Sequence, residues 1–169
     1  PNVFGNGLTI SGKNIFDEDN PFVKKMELTL SNNSEGLIKI SDVDIGKFQI
    51  SGENYKGNII LKDIVCEDVN IRSLANYSNL QFVNLQPLSE ASKLSIVDSH
   101  LEKVTFVNSQ LHNFKTYNIM HSNFSLIKSA NTKWFTYEQL HENIEHLNKM
   151  LAGNPTKGTR EVVVEHKEI

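Results

Sequence analysis

The feature that most constrains this chain is a rhythm of five. In the stretch LSIVDSHLEKVTFVNSQL, the core candidates are Leu94, Ile96, Ser99, Leu101, Val104, Phe106, Ser109 and Leu111. The steps between them alternate 2 and 3. A flat strand would step by two throughout, and an amphipathic helix by three and four. Neither fits. A chain that bends after every five residues does fit, because two side chains of each five then point inward. The bend needs a residue that tolerates backbone angles outside the strand region. Asn and Asp do so and bond their own backbone, and Asn is abundant here. Four such segments close one square coil, and stacked coils cover one another's backbone. Self-similarity of this kind is the mark of a solenoid with capped ends.

The rhythm starts at Ile38 and runs through Ile40, Val43, Ile45, Phe48 and Ile50. It lapses over residues 51–58, where Gly52 and Gly57 lie. It resumes at Ile59, Leu61, Ile64, Cys66, Val69, Ile71 and Leu74. It slips by one residue to Ser78, Leu80, Val83 and Leu85, and residues 87–92 read as a bulging loop. After Leu111 a phase change gives Phe114, Ile119, Phe124 and Trp134, with Ile127 and Ser129 a weaker pair. Before Ile38 the chain is irregular, with a short strand over Leu8-Thr9-Ile10 and alternation at Met26, Leu28 and Leu30.

The triplets Val43-Asp44-Ile45, Val69-Asn70-Ile71, Ser78-Asn79-Leu80, Val83-Asn84-Leu85, His112-Asn113-Phe114, Tyr117-Asn118-Ile119 and Ser122-Asn123-Phe124 resemble degenerate copies of the A-(D/N)-L-x-x motif of pentapeptide-repeat proteins. The departures are a near absence of Ala at the first place, bulky residues such as Ile38, Phe48, Leu94 and Tyr117 there, and several phase breaks. The resemblance implies an all-β fold: a right-handed quadrilateral parallel β-helix with a C-terminal capping α-helix. At roughly 20 residues per coil, residues 38–134 would make about five coils. The competing reading is a β-sandwich, which should show cleaner alternation over five or six residues.

Four regions follow. Residues 1–37 form an N-terminal cap or irregular β segment, and residues 38–135 the repeat body. Residues 136–152 form a helix, opened by the capping box Thr136-Tyr137-Glu138-Gln139, striped by Leu140, Ile144, Leu147 and Leu151, and stopped by Gly153-Asn154-Pro155. Its stripe is expected to cover the last coil near Trp134 and Phe135. Residues 153–169 form a tail whose Glu161–Glu165 segment reads as a short strand.

Composition narrows the function classes. The net charge is −3, and only Arg72 and Arg160 among 17 basic residues are Arg. Arg is the usual reader of phosphates and guanine edges, so nucleic acid is disfavoured. No run reaches membrane-spanning length. A single cysteine, Cys66, excludes an internal disulfide and suits a reducing, cytoplasmic setting. Its inward place in the rhythm makes it packing rather than nucleophile. His141 and His146 are five apart, off one helix face, and the acidic run Asp17-Glu18-Asp19-Asn20 lacks calcium-loop spacing. His112 reads as a core or corner histidine. Asp98-Ser99-His100 holds the letters of a triad, but strand neighbours point to opposite sides. Three glycosylation sequons begin at Asn32, Asn76 and Asn123, near chance in so Asn-rich a chain. No catalytic, cofactor-binding or metal residue is assigned, and the chain is not read as an enzyme.

Three functions are weighed. The first is a non-catalytic scaffold for a protein partner. The second is the β-helix domain of a larger bacterial effector, which the start at Pro1 and the trailing strand would suit, and which would be secreted. The third is a gyrase-binding DNA mimic, as the resemblance implies for some relatives. A mimic wants a strongly negative body, yet residues 38–134 carry nine acidic and ten basic side chains. Solenoid ends and the Val162–Val164 strand would also suit a homodimer.

Overall fold

A computed structural model describes residues 7–12, 22–30, 36–52, 55–74, 78–120, 122–139, 141, 142 and 145. They form a β-solenoid of parallel strands. Among the described residues nine strands run in order: β1 (Leu8–Ser11), β2 (Phe22–Thr29), β3 (Leu37–Ser51), β4 (Asn58–Arg72), β5 (Ser78–Pro87), β6 (Lys93–Val97), β7 (His100–Val107), β8 (Thr116–Met120) and β9 (Asn123–Ala130). A 3-10 turn, Leu111–Asn113, separates β7 from β8. Every strand pairing among the described residues is parallel. β1 and β2 both lie against β3, so the segment before Ile38 contributes rungs to the same sheet.

The coil length can be read from one inward column. Ile38, Ile59, Leu80, Val104 and Ile127 are successive partners, 21, 21, 24 and 23 residues apart. The stack therefore makes about four turns rather than the five that a 20-residue coil predicts. In the first two coils the rhythm holds from Ile38 to Ile50 and from Ile59 to Leu74. The extra residue falls on the fourth side, where Tyr55 fills the interior and its hydroxyl donates to the Gly36 carbonyl at 2.9 Å. A Cβ on Gly57 would lie 2.2 Å from that same carbonyl oxygen, so only glycine fits there. In the third coil, residues 88–92 loop out between Pro87, opposite Cys66, and Lys93, opposite Asp68.

All eight residues of the Leu94–Leu111 rhythm are buried. One phase differs from the sequence reading. Phe82, not Val83, points inward, because Phe82 registers with Leu61 and Phe106 while Val83 joins the outer column of Lys62 and Val107. The Phe82 and Phe106 rings stack at 5.0 Å, nearly parallel, and Trp134 meets Phe106 edge-on at 5.5 Å. Phe114 is buried as expected, but Trp134 and Ile127 are each 43 % exposed. Nothing among the described residues closes the last coil over them.

The corners explain the small residues of the rhythm. Asp42, Asp63, Asn84, Asn108 and Asn131 all take positive φ, and they stack in one column. Ser73 and Asp98 make a second such column. Left-handed backbone is costly for most side chains and mild for Asn and Asp. After four of these corners, Ser73, Asn84, Asp98 and Asn108, the following N–H is turned toward the next coil. After Ser73 and Asn84 a Ser hydroxyl receives it: Leu74 N–H donates to Ser99 Oγ and Leu85 N–H to Ser109 Oγ. Those hydroxyls donate in turn to the carbonyls of Val97 and Val107. Thr132 repeats the arrangement under Ser109, while Ser122 accepts from Ser99 N–H and donates back to the Ile96 carbonyl. Buried hydroxyls are tolerable only when bonded in this way.

A corner substitution tests this account. Asn84 (φ 56°) donates to Asp63 Oδ1 at 2.9 Å and accepts from Gln86 at 3.0 Å. We expect Asn84→Val to destabilise the fold by about 2 kcal/mol, since β-branched residues resist left-handed backbone. Asn84→Gly should cost under about 1 kcal/mol. Denaturant melts of the two variants would check this, and equal losses would refute the corner role.

The helix start matches the sequence. Residues 137–139, 141, 142 and 145 are helical, and the capping box is reciprocal. Thr136 N–H donates to Gln139 Oε1 at 2.7 Å and Gln139 N–H to Thr136 Oγ1 at 3.3 Å. The Gln139 amide also donates to the carbonyls of His112 and Phe114, which fastens this turn to the fourth coil. The stripe Leu140, Ile144, Leu147 and Leu151 lies outside the described residues, as does the Glu161–Glu165 segment.

Candidate functional site

The solenoid leaves its polar side chains on flat outer sides, and any function must be sought there or in the core. The core offers little chemistry. Cys66 is fully buried, and burial pushes its thiol up to about 12. A thiol held so far from ionisation is a poor nucleophile. Burial likewise raises the Tyr55 phenol to about 12.

Both shifts make a prediction about alkaline stability. These groups keep their protons in the folded state at pH values where the unfolded chain has lost them. Their contribution is complete below the unfolded values, near 9 for the thiol and 10 for the phenol, and is lost as pH rises toward about 12. The double variant Cys66→Ala, Tyr55→Phe should lose less stability than the parent between about pH 8 and pH 11. Melts across that range would check it; parallel curves would remove the effect.

The triad letters fall apart in space as strand geometry requires. Ser99 points inward and is bonded to backbone, whereas Asp98 sits on a corner and both Asp98 and His100 face solvent. His112 is half-buried in the 3-10 turn, with a buried Nδ1 that finds no hydrogen-bond partner among the described residues. His141 is exposed, stacks on Tyr137 and lies 3.4 Å from Glu145. His146 and Asp17–Asn20 fall outside the described residues. No three His, Cys, Asp or Glu residues converge to hold a metal among those described, and no described helix is long and apolar enough to cross a membrane.

The outer sides differ from one another. The first side comprises residues 8–11, 37–41, 58–62, 79–83, 103–107 and 126–130. Its central outer column is Thr9, Lys39, Ile60, Gln81, Thr105 and Lys128. One flanking column is Leu37, Asn58, Asn79, Lys103 and Leu126; the other is Ser11, Ser41, Lys62, Val83, Val107 and Ala130. Asn79 donates to Asn58 Oδ1 at 2.9 Å, an amide ladder along the axis. Among the described residues, none of these outer positions is Asp, Glu, Arg or aromatic. The nearest carboxylates lie at the margins: Asp42 and Asp63 on the corner, the latter 3.5 Å from Lys62, and Glu102 just before Lys103.

The second side carries Asp44, Glu67 and the loop at 88–92. Glu67 accepts from Ser89 at 2.8 and 3.0 Å and from Ser92 at 3.3 Å, so it anchors that loop. The third side mixes charges. Lys25, Lys47, Asp68 and Lys93 register in one column, and Glu27, Gln49 and Asn70 in the next. Together with Lys24 these residues, Lys93 excepted, line an open groove of about 740 Å³. Lys25 pairs with Glu27 there at 2.8 Å.

Sequence reasoning did not find the charge segregation of the first side. Its lysines are spread from Lys39 to Lys128, and only the 21- to 24-residue register brings them onto one surface. Compared with known proteins, the chain matches no family model, no curated protein and no solved structure.

Proposed function

We propose that this chain is a non-catalytic protein-interaction scaffold built on a pentapeptide-repeat β-helix. The observation that carries the reading is the division between interior and exterior. The interior is filled by aliphatic and aromatic side chains and backbone-bonded serines. The polar side chains stand on flat sides whose register is fixed by parallel ladders. A rigid body of this kind presents a constant pattern of side chains without moving parts. The family reading is supported by inward positions that recur in fives from Leu94 to Leu111. The DNA-mimic reading gains nothing from a side that carries four lysines and, among the described residues, has carboxylates only at its margins.

Affinity capture tests the scaffold. The chain would serve as bait in bacterial and host-cell lysates, in versions with the charges of one outer side reversed at a time. A reproducible partner released by reversal of one side supports the reading. No partner in either lysate would overturn it.

A further inference from the structure

We infer that the first side of the solenoid is a docking surface for an extended acidic polypeptide segment that also carries aliphatic side chains. The inference rests on the scaffold reading and names its partner's chemistry. Lys39 and Lys128 stand in one column four rungs apart, about 19 Å at the usual inter-strand spacing. Lys62 and Lys103 flank that column on the rungs between. Together they form a positive strip along the axis whose carboxylates, among the described residues, stand at its margins: Asp42 and Asp63 on the corner, the latter 3.5 Å from Lys62, and Glu102 beside Lys103. The third side, by contrast, sets Glu27 and Asp68 among its lysines.

The character of the partner follows from what stands between the lysines. Leu37 and Leu126 are exposed, and Ile60, Val83 and Val107 are half-buried on the same side. Lysine stems add further hydrocarbon while keeping the ammonium in water. This suits a segment that alternates acidic and aliphatic residues. Single-stranded nucleic acid is bound on aromatic platforms with arginine assistance, and among the described residues the strip has neither.

The test uses fluorescence anisotropy at low ionic strength, with a labelled peptide of alternating Glu and Val as probe. Polygalacturonate and single-stranded DNA serve as competitors. Reversing Lys39, Lys103 and Lys128 to Glu should weaken the peptide at least about tenfold, because complementary charge is both lost and inverted. Reversing Lys25, Lys47 and Lys93 on the third side should change it less than about twofold. Thermal melts confirm that each variant folds, and Lys→Gln at the same three positions replaces any that does not. The inference is overturned by no saturable peptide binding, by equal losses on both sides, or by tighter binding of polygalacturonate or DNA. It also falls alone, with the scaffold intact, if a captured lysate partner is released only when the third side is reversed.

Discussion

Leu101→Asp should abolish folding. Leu101 is 2 % exposed and stands between Ser78 of the preceding coil and Phe124 of the next. No cation is placed to pair with a carboxylate there among the described residues. Burying an unpaired carboxyl, even after it takes up a proton, costs on the order of 5 kcal/mol or more. A domain of this size has about 5–15 kcal/mol to lose. The solenoid has a further vulnerability, since each coil is held mainly by its neighbours. A defect at Leu101 separates the coils above it from those below. Far-ultraviolet circular dichroism should show loss of the β signal, while Glu102→Ala, one residue along and exposed, should melt like the parent. A Leu101→Asp protein that melted like the parent would place Leu101 outside the core.

Phe82→Ala is the second large effect. Phe82 is fully buried and stacks on Phe106, which in turn meets Trp134. Removing the ring leaves a void that the surrounding ladders hold open, because their hydrogen bonds fix the spacing of the rungs. We expect a loss of about 3–5 kcal/mol, the range for large aromatic truncations in cores. Val83→Ala, by contrast, removes two methyl groups from the outer column and should cost less than about 1 kcal/mol. The pair settles the phase of the third coil. The five-residue rhythm read locally favours Val83 as the inward residue, so a large loss at Val83 with a small one at Phe82 would restore that local phase.

The same pair shows where local reading fails. The sequence Ser78-Asn79-Leu80-Gln81-Phe82-Val83-Asn84-Leu85 allows either Phe82 or Val83 to face inward. The choice is made by Leu61 and Phe106, both more than 20 residues away. The helix start lies at the other extreme. Thr136 and Gln139 cap each other within a single turn, so four letters are enough to place it. The corners fall between. Asn and Asp were expected at bends on backbone grounds, but which of them bend is a matter of the coil. Asp63 and Asn84 take left-handed backbone, while Asp44 and Asn70 lie in extended strands.

What the sequence determined by itself is therefore the local alternation: two residues in, a bend, two residues in. That pattern depends on backbone sterics and on hydrophobicity within a few residues, and both are written in the letters. The tertiary structure alone decided the coil length, the loop at 88–92 and the gathering of Lys39, Lys62, Lys103 and Lys128 onto one side. Those depend on the register between rungs 21 to 24 residues apart. Register is selected by how whole columns of side chains pack, and a shift of one residue turns every outward lysine inward.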